Sequence, residues 1–205
     1  MFSKRTAILG VSLAAAASLG FGSSAHAAST AAPSNRLTCF DGASEGVGNG
    51  VCKLISNGAT LKNPNDGMSY SGVYVQGDKL QGKALTAVKN LSFHFTRAVA
   101  GGAPRFSLAI DSDGDGAYDF FAFADPNGCG SMATQSGVVN IITKGVANPN
   151  CQINANGATY ANYTALEAAY PGAKYATDQV SFIIADQPGS FRVTQVKFNA
   201  ANATT

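Results

Sequence analysis

Short apolar segments alternate along the chain with stretches rich in Gly, Asn, Asp and Pro. Within several segments apolar and polar residues also alternate one by one. Leu91, Phe93 and Phe95 fall on one face of a strand, and Ser92 and His94 fall on the other. Such alternation is typical of strands that bury one face, and the polar stretches between them are typical of turns. The pattern predicts strands at Val51–Ile55, Tyr70–Val75, Leu91–Thr96, Arg105–Ile110, Tyr118–Ala124, Val138–Thr143, Val180–Ala185 and Phe191–Phe198.

One segment, Ala161–Tyr170, has the features of a helix, because Thr164 and Glu167 match a capping box and a Pro-Gly pair follows. A single short helix among many strands predicts an all-β fold. We expect a two-sheet antiparallel β-sandwich, jelly-roll-like, with the helix connecting across one end. Val138–Ile142 and Phe182–Ala185 are more continuously apolar, so we expect them in central positions.

The first residues have the features of a secretory signal peptide. Lys4 and Arg5 form a basic region, an apolar run too short to span a membrane comfortably follows, and Ala25-His26-Ala27 has the pattern of a cleavage site. No second long apolar run follows, so we expect a secreted protein without membrane insertion. The predicted organisation is a signal peptide at 1–27, a linker at 28–36, one β-sandwich domain at 37–200 and a C-terminal tail at 201–205.

Charge excludes some classes of partner. The signal peptide contains Lys4 and Arg5, so 12 of the 14 basic residues remain in the mature chain, against 12 acidic residues. A mature protein of zero formal net charge, with its basic residues scattered along the sequence, lacks the electrostatic signature of nucleic-acid or anionic-lipid binding. We therefore predict no nucleic-acid partner.

Cys39, Cys52, Cys129 and Cys151 remain after export. An even number of cysteines in an oxidising compartment indicates two disulfides, for which three connectivities exist. The sequence-local pairing, Cys39–Cys52 and Cys129–Cys151, is favoured because each pair brackets a Gly- and Asn-rich stretch. A metal site on these cysteines is not indicated, since the chain contains no CxxC and its mature part contains one histidine, His94.

The strongest chemical signal is the stretch from Asp111 to Asp119, which places four carboxylates within nine residues of a charge-poor chain. Like charges this close repel one another unless a cation neutralises them, and oxygen ligands of this kind suit Ca²⁺. The predicted strands on either side make the stretch a hairpin loop. The alternative is a plain Asp- and Gly-rich turn, although such a turn needs only one or two of these residues.

Asp at positions 1, 3, 5 and 9 with Gly at position 6 resembles the calcium loops of EF-hand and dockerin-type proteins. The resemblance implies a shell of oxygen ligands from five residues: Asp111, Asp113 and Asp115 through their side chains, Ala117 through its carbonyl, and Asp119 directly or through water. The pattern departs at position 12, where Ala122 stands in place of the bidentate Glu. Asp125 can complete the shell only if the outgoing strand curls back.

Catalytic signals are weak. His94 alternates with the apolar residues of its strand, and no GxSxG or similar nucleophile motif accompanies it. Glu45, Glu167, Asp178 and Asp186 are candidates for a glycosidase-like pair, but their positions select no pair among them. The sequence therefore favours a non-catalytic protein, with a secreted hydrolase as the third interpretation.

Our leading interpretation is a calcium-binding, extracellular binding or surface module whose partner is a carbohydrate. Tyrosines can offer stacking surfaces to a glycan; they comprise Tyr70 and Tyr74 and a cluster at Tyr160, Tyr163, Tyr170 and Tyr175. Most of them are expected to be ordinary half-buried strand residues instead. The second interpretation is a structural or adhesive surface protein that assembles with itself or with another protein.

Overall fold

The computed structural model describes residues 36–43, 49–75, 79–97, 102–130 and 136–199. The predicted signal peptide, the linker up to residue 35 and the C-terminal tail lie outside the described residues. They therefore remain predictions.

The described residues form one short helix, a 3₁₀ turn at Leu85–Ala87 and a succession of strands. The strands are β1 (Leu37–Ala43), β2 (Val51–Ile55), β3 (Gly58–Asn63), β4 (Ser69–Val75), β5 (Leu91–Thr96), β6 (Arg105–Asp111), β7 (Phe120–Ala124), β8 (Ser136–Thr143), β9 (Val146–Ala147), β10 (Ile153–Ala155), β11 (Ala158–Tyr160), β12 (Lys174–Tyr175), β13 (Phe182–Ala185) and β14 (Gly189–Phe198). The helix is α1 (Tyr163–Ala169).

These strands pair into two sheets, and every pairing in them is antiparallel. The eight-stranded sheet has the order β1-β4-β13-β6-β7-β10-β11, with β12 paired to β6 beside β13. The six-stranded sheet has the order β2-β3-β14-β5-β8-β9. The all-β sandwich predicted from the alternation of apolar and polar residues is confirmed.

The core lies between the two sheets. Phe106 of the eight-stranded sheet packs edge-on against Phe93 and Phe198 of the six-stranded sheet, with ring centroids 4.9 Å and 5.3 Å away. All three side chains are fully or almost fully buried. Burying one such side chain contributes roughly 1.5–3 kcal/mol, so the alternate apolar positions of each strand determine which of its faces points inward.

Two disulfides join Cys39 to Cys52 and Cys129 to Cys151, the sequence-local pairing expected above. The Cys39–Cys52 bridge connects β1, at an edge of the eight-stranded sheet, to β2, at an edge of the six-stranded sheet. It therefore ties the two layers of the sandwich together. The Cys129–Cys151 bridge joins the segment after β7 to the segment before β10. β7 and β10 are neighbours in the eight-stranded sheet.

The helix begins differently from the prediction. The side chain of Asn162 accepts a hydrogen bond from the Ala165 N–H at 3.0 Å and so caps α1, whereas Thr164 and Glu167 lie within the helix. The predicted capping box is therefore wrong, because an Asn two residues earlier already satisfies the first turn. In the part of the chain that the structure describes, no helix combines the length and apolar character needed to cross a membrane.

The two segments expected at central positions differ in their placement. β13 lies between β4 and β6, as expected for an interior strand. β8 has β5 on one side and only the two-residue β9 on the other, so it lies close to a sheet edge. A continuous apolar run therefore identified an interior strand in one case out of these two.

Candidate functional site

The acidic stretch forms the hairpin loop between β6 and β7, as predicted. Asp111 is the last residue of β6, and the Asp119 N–H donates to the Ile110 carbonyl at 2.9 Å, which closes the hairpin. Gly114 and Gly116 have φ angles of +86° and +100°. A residue with a β-carbon is strained in that region, so these two glycines allow the loop to fold tightly.

Three carboxylates come together in this loop. One oxygen from each of Asp111, Asp113 and Asp115 lies within 4.8 Å of the others. Asp111 is fully buried, and Asp113 and Asp115 are exposed. This group can hold a metal ion, because a cation among the three oxygens would relieve their mutual repulsion.

The hydrogen bonds of the loop are compatible with such an ion. The two carboxylate oxygens of Asp111 accept from Gly114 N–H at 2.6 Å and from Gly116 N–H at 2.9 Å. One oxygen of Asp113 accepts from the Asp115 N–H at 3.2 Å, and one oxygen of Asp115 accepts from the Ala117 N–H at 2.8 Å. A carboxylate has about four lone-pair sites, so each group keeps sites for a cation. An all-oxygen donor set suits a hard cation.

The other predicted ligands have different surroundings. The Asp119 carboxylate lies outside the group of three and accepts from the hydroxyl and the N–H of Ser112. The hydroxyl first, and then the N–H, lower the pKa of Asp119. Ala122, at the position of the missing Glu, is buried in β7, and its methyl side chain has no oxygen that could bind an ion. Asp125 accepts from the Gly128 N–H at 2.8 Å and so stabilises the next turn.

A basic residue that the sequence did not indicate also touches the loop. The Lys174 ammonium donates to the Gly114 carbonyl at 3.2 Å, across 60 positions of sequence. The following segment adds two bonds, because the N–H and hydroxyl of Thr177 donate to the Gly116 carbonyl at 2.9 Å and 2.8 Å. No local pattern marks Lys174, since the pairing of β12 with β6 alone brings it to the hairpin.

A second candidate site covers the outer side of the eight-stranded sheet. We call it the aromatic face. It consists of seven partly exposed rings: Phe40, Tyr70, Tyr74, Tyr118, Phe121, Phe123 and Phe182. Each ring has a neighbour in this set, with centroids 4.7 to 6.4 Å apart. The outer side of a sandwich is ordinarily polar, so a continuous aromatic surface there is a candidate binding surface.

The register of the strands produces this surface. Phe182 lies opposite Tyr74 on one side and Ser107 on the other, and Ser107 lies opposite Phe123. In antiparallel sheets opposite residues share a face, so rings from β4, β13 and β7 form one row.

One charged pair borders the aromatic face. The guanidinium of Arg105 binds both carboxylate oxygens of Asp186, one of them at 2.6 Å. The Arg105 guanidinium carbon also lies 5.2 Å from the centroid of the Phe123 ring. Both charged side chains are partly exposed, so donors and acceptors in a fixed geometry stand beside the rings.

The predicted tyrosine cluster divides into two groups. Tyr163 and Tyr175 are buried, and their hydroxyls are 2.9 Å apart. Burial raises the pKa of Tyr163 well above its ordinary value. Tyr160 and Tyr170 are partly exposed and pack against each other, away from the rings of the aromatic face. From the predicted set, only Tyr70 and Tyr74 contribute to the aromatic face.

The residues considered for catalysis are dispersed. His94 lies on the outer side of the six-stranded sheet, opposite Thr194 and Val138. Asp186 is paired with Arg105. Burial raises the pKa of Glu167, which lies on α1. Glu45 lies outside the described residues, so its relation to the other carboxylates stays open.

Comparison with protein-family models, with curated proteins and with solved structures finds no match to this chain in any of the three. The resemblance of the stretch Asp111–Asp119 to EF-hand and dockerin-type loops therefore stays a prediction.

Proposed function

We propose that this protein is a secreted, calcium-binding β-sandwich module that binds carbohydrate without catalysis. The aromatic face is the observation that carries the proposal. Sugar rings present flat C–H surfaces that pack on aromatic rings, and their hydroxyl groups need fixed donors and acceptors at the rim. The aromatic face offers the rings, and the Arg105–Asp186 pair offers the donors and acceptors.

Calcium has a structural role in this proposal. Asp111, Asp113 and Asp115 hold the ion, and the hairpin that it orders is formed by β6 and β7. These same strands carry Arg105 and Phe123. With a Kd of about 0.1 mM and about 1 mM calcium, binding stabilises the folded state by about 1.4 kcal/mol. Calcium in this proposal orders the loop at the end of a hairpin whose two strands carry part of the aromatic face.

The two disulfides indicate an oxidising, extracellular environment. Together with the predicted signal peptide they support secretion. N-terminal sequencing of exported material should find a start near Ala28, and an intact Met1 would contradict export.

A glycan array tests carbohydrate binding. The mature protein should bind a defined group of glycans in calcium buffer, and Phe123→Ala should weaken that binding by about ten-fold, since one stacked ring is worth about 1 kcal/mol or more. Tyr160→Ala is the matched control, because it removes a partly exposed ring that lies outside the aromatic face. An array without hits, or equal losses in both variants, would contradict the proposal.

The second candidate function is a structural or adhesive surface protein that assembles with itself or with another protein. It is favoured by the apolar character of the centre of the aromatic face, where Phe182 makes T-shaped contacts with Phe40 and Phe121, rings that carry no hydroxyl groups. Assembly predicts oligomers that grow with protein concentration in size-exclusion chromatography. Phe182→Ser should dissociate such oligomers. An unchanged protein that is monomeric at all concentrations would exclude self-assembly.

A further inference from the structure

The outer side of the six-stranded sheet has a chemistry opposite to that of the aromatic face. Four basic side chains point outward from three neighbouring strands, and we call this surface the cationic face: Lys53, Lys62, Arg192 and Lys197. Lys53, Lys62 and Arg192 are exposed, and Lys197 is partly exposed. Residues that are distant in sequence thus share one surface.

The strand register brings three of these residues to one end of the sheet. Lys53 of β2 lies opposite Thr60 of β3, which in turn lies opposite Arg192 of β14. Lys62 lies opposite Ser190, two residues before Arg192. The backbones of β2 and β14 are two strand spacings apart, about 9.5 Å, so these charges lie within reach of a single ligand.

No carboxylate neutralises this surface from within the sheet. None of the six strands contains Asp or Glu. Among the described residues, none of the four basic side chains takes part in an ion pair. Their neighbours across the strands are mostly hydroxyl or amide residues, namely Thr60, Ser190, Thr96 and, beyond Ser92, Asn140, with the exposed Val51 opposite Lys62 as the apolar exception. The strands of this sheet therefore do not offset the positive potential of the face, and the Asp41 carboxylate of β1 approaches it only at the Cys52 N–H, next to Lys53.

We infer that the cationic face binds an anionic polysaccharide, one that carries carboxylate or sulfate groups along its length. Arg192 and Lys197 lie five positions apart on β14, about 15 Å along the strand, so the charges follow a path suited to an extended polymer. The Thr, Ser and Asn side chains between them can hydrogen-bond sugar hydroxyls. This surface is distinct from the aromatic face, and the inference depends neither on that face nor on calcium.

A lipid surface fits the cationic face less well. The three adjacent strands β3, β14 and β5 place only glycine and polar or charged residues on this side, including Thr194 and His94 between the charges. Peripheral membrane binding draws strength from several apolar side chains that enter the lipid. These three strands provide none here, and the large exposed apolar side chain on the neighbouring β2 is Val51, opposite Lys62. Single-stranded nucleic acid would also need aromatic rings for its bases to stack on.

The test is binding of sulfated dextran and polygalacturonate, with uncharged dextran as the reference, by the mature protein. Both anionic polymers should bind, and affinity should fall about ten-fold as NaCl rises from about 50 to about 200 mM, because each contact releases counterions. The variant Lys62→Gln/Arg192→Gln should weaken binding by about ten-fold or more. The matched control Arg36→Gln/Lys83→Gln removes the same two charges outside the six-stranded sheet and should bind like the unchanged protein.

Several outcomes would overturn the inference. They are equal binding of uncharged dextran, equal losses in the two variants, binding only to phosphatidylglycerol vesicles, and preference for nucleic acid over both polysaccharides. Arg192→Lys keeps the charge and should keep most of the affinity, and thermal unfolding of every variant reports whether it is folded. Phe123→Ala, which tests the aromatic face, should leave this binding unchanged. Failure of the carbohydrate site on the aromatic face is thereby distinguished from failure of the cationic face.

Discussion

Lys174 lies directly opposite Asp111 in the pairing of β12 with β6, and its ammonium group donates to the Gly114 carbonyl at 3.2 Å. The acidic hairpin therefore has one permanent positive charge beside it. This charge offsets part of the repulsion among the carboxylates when no metal is bound. The same charge would oppose a cation that enters the loop, so we expect it to lower the affinity of the loop for metal.

We expect Lys174→Gln to bind calcium about three- to ten-fold more tightly, because it removes a like charge near the ion. Without metal the variant should be less stable, by about 0.5–1.5 kcal/mol for the lost hydrogen bond. Isothermal titration with calcium and urea unfolding in chelator measure the two effects. Lys174→Arg keeps the charge and is the control, and unchanged calcium affinity in Lys174→Gln would contradict this account.

Asp113 and Asp111 should respond differently to substitution. Asp113 is exposed, so Asp113→Ala should lower stability in calcium by up to about 1.4 kcal/mol and change it little in chelator. Asp111 is buried and accepts two backbone N–H bonds, so Asp111→Ala should cost about 1–3 kcal/mol in chelator. In calcium it should cost up to about 1.4 kcal/mol more, because a ligand of the ion is also lost. Thermal unfolding in calcium, magnesium and chelator separates these effects. Equal losses from Asp113→Ala in calcium and in chelator would exclude a metal at this loop.

The ring of Phe40 lies over Gly72, its partner in the pairing of β1 with β4. A β-carbon at position 72 would overlap that ring and the Ile183 carbonyl. Gly72→Ala should therefore destabilise the protein by about 1–3 kcal/mol, measured by urea unfolding. Phe40→Ala in the same chain should relieve only part of the cost, because the overlap with the backbone carbonyl remains. Additive effects of the two substitutions would contradict this contact.

Asp66 makes stability depend on pH at the start of β4. The hydroxyl of Ser69 first, and then the N–H groups of Met68 and Ser69, lower the pKa of the Asp66 carboxyl. A lowered pKa in the folded state means that the contribution is present above the pKa of the unfolded chain and is lost as pH falls through the folded value. Asp66→Asn should therefore show a shallower loss of stability than the unchanged protein below about pH 4. Identical pH profiles of unfolding would contradict this role.

The sequence by itself predicted eight of the fourteen described strands well. β2 and β5 have the predicted bounds, and six other strands differ from prediction by one or two residues at an end. The alternation of apolar and polar residues is visible in these strands because each of them buries one face. The strands that were missed are β1, β3 and the two- or three-residue strands β9 to β12. Short strands carry too few alternate positions to show a period, and β3, with Gly58, Lys62 and Asn63, resembles a loop in composition.

The local chemistry was also determined by sequence. The acidic hairpin and the two sequence-local disulfides are formed by residues that lie close together along the chain. The structure brings the three carboxylates together and pairs the cysteines as predicted. Asp119 is predicted as a ligand, directly or through water, and this stays a prediction. The structure adds a contact that the spacing does not indicate, because Ser112 donates two hydrogen bonds to the Asp119 carboxylate.

Only the tertiary structure decided what the two outer surfaces are. Alternation shows that a strand has two faces, but it does not show which strands are neighbours. Lys62 and Arg192 lie on one face near each other because β3 pairs with β14. Phe40 and Phe182 are in contact because β4 pairs with both of their strands. A chain whose predicted mature part is neutral in sum thus has one cationic side and one aromatic side. Strand order and register, set by long-range pairing, created this asymmetry.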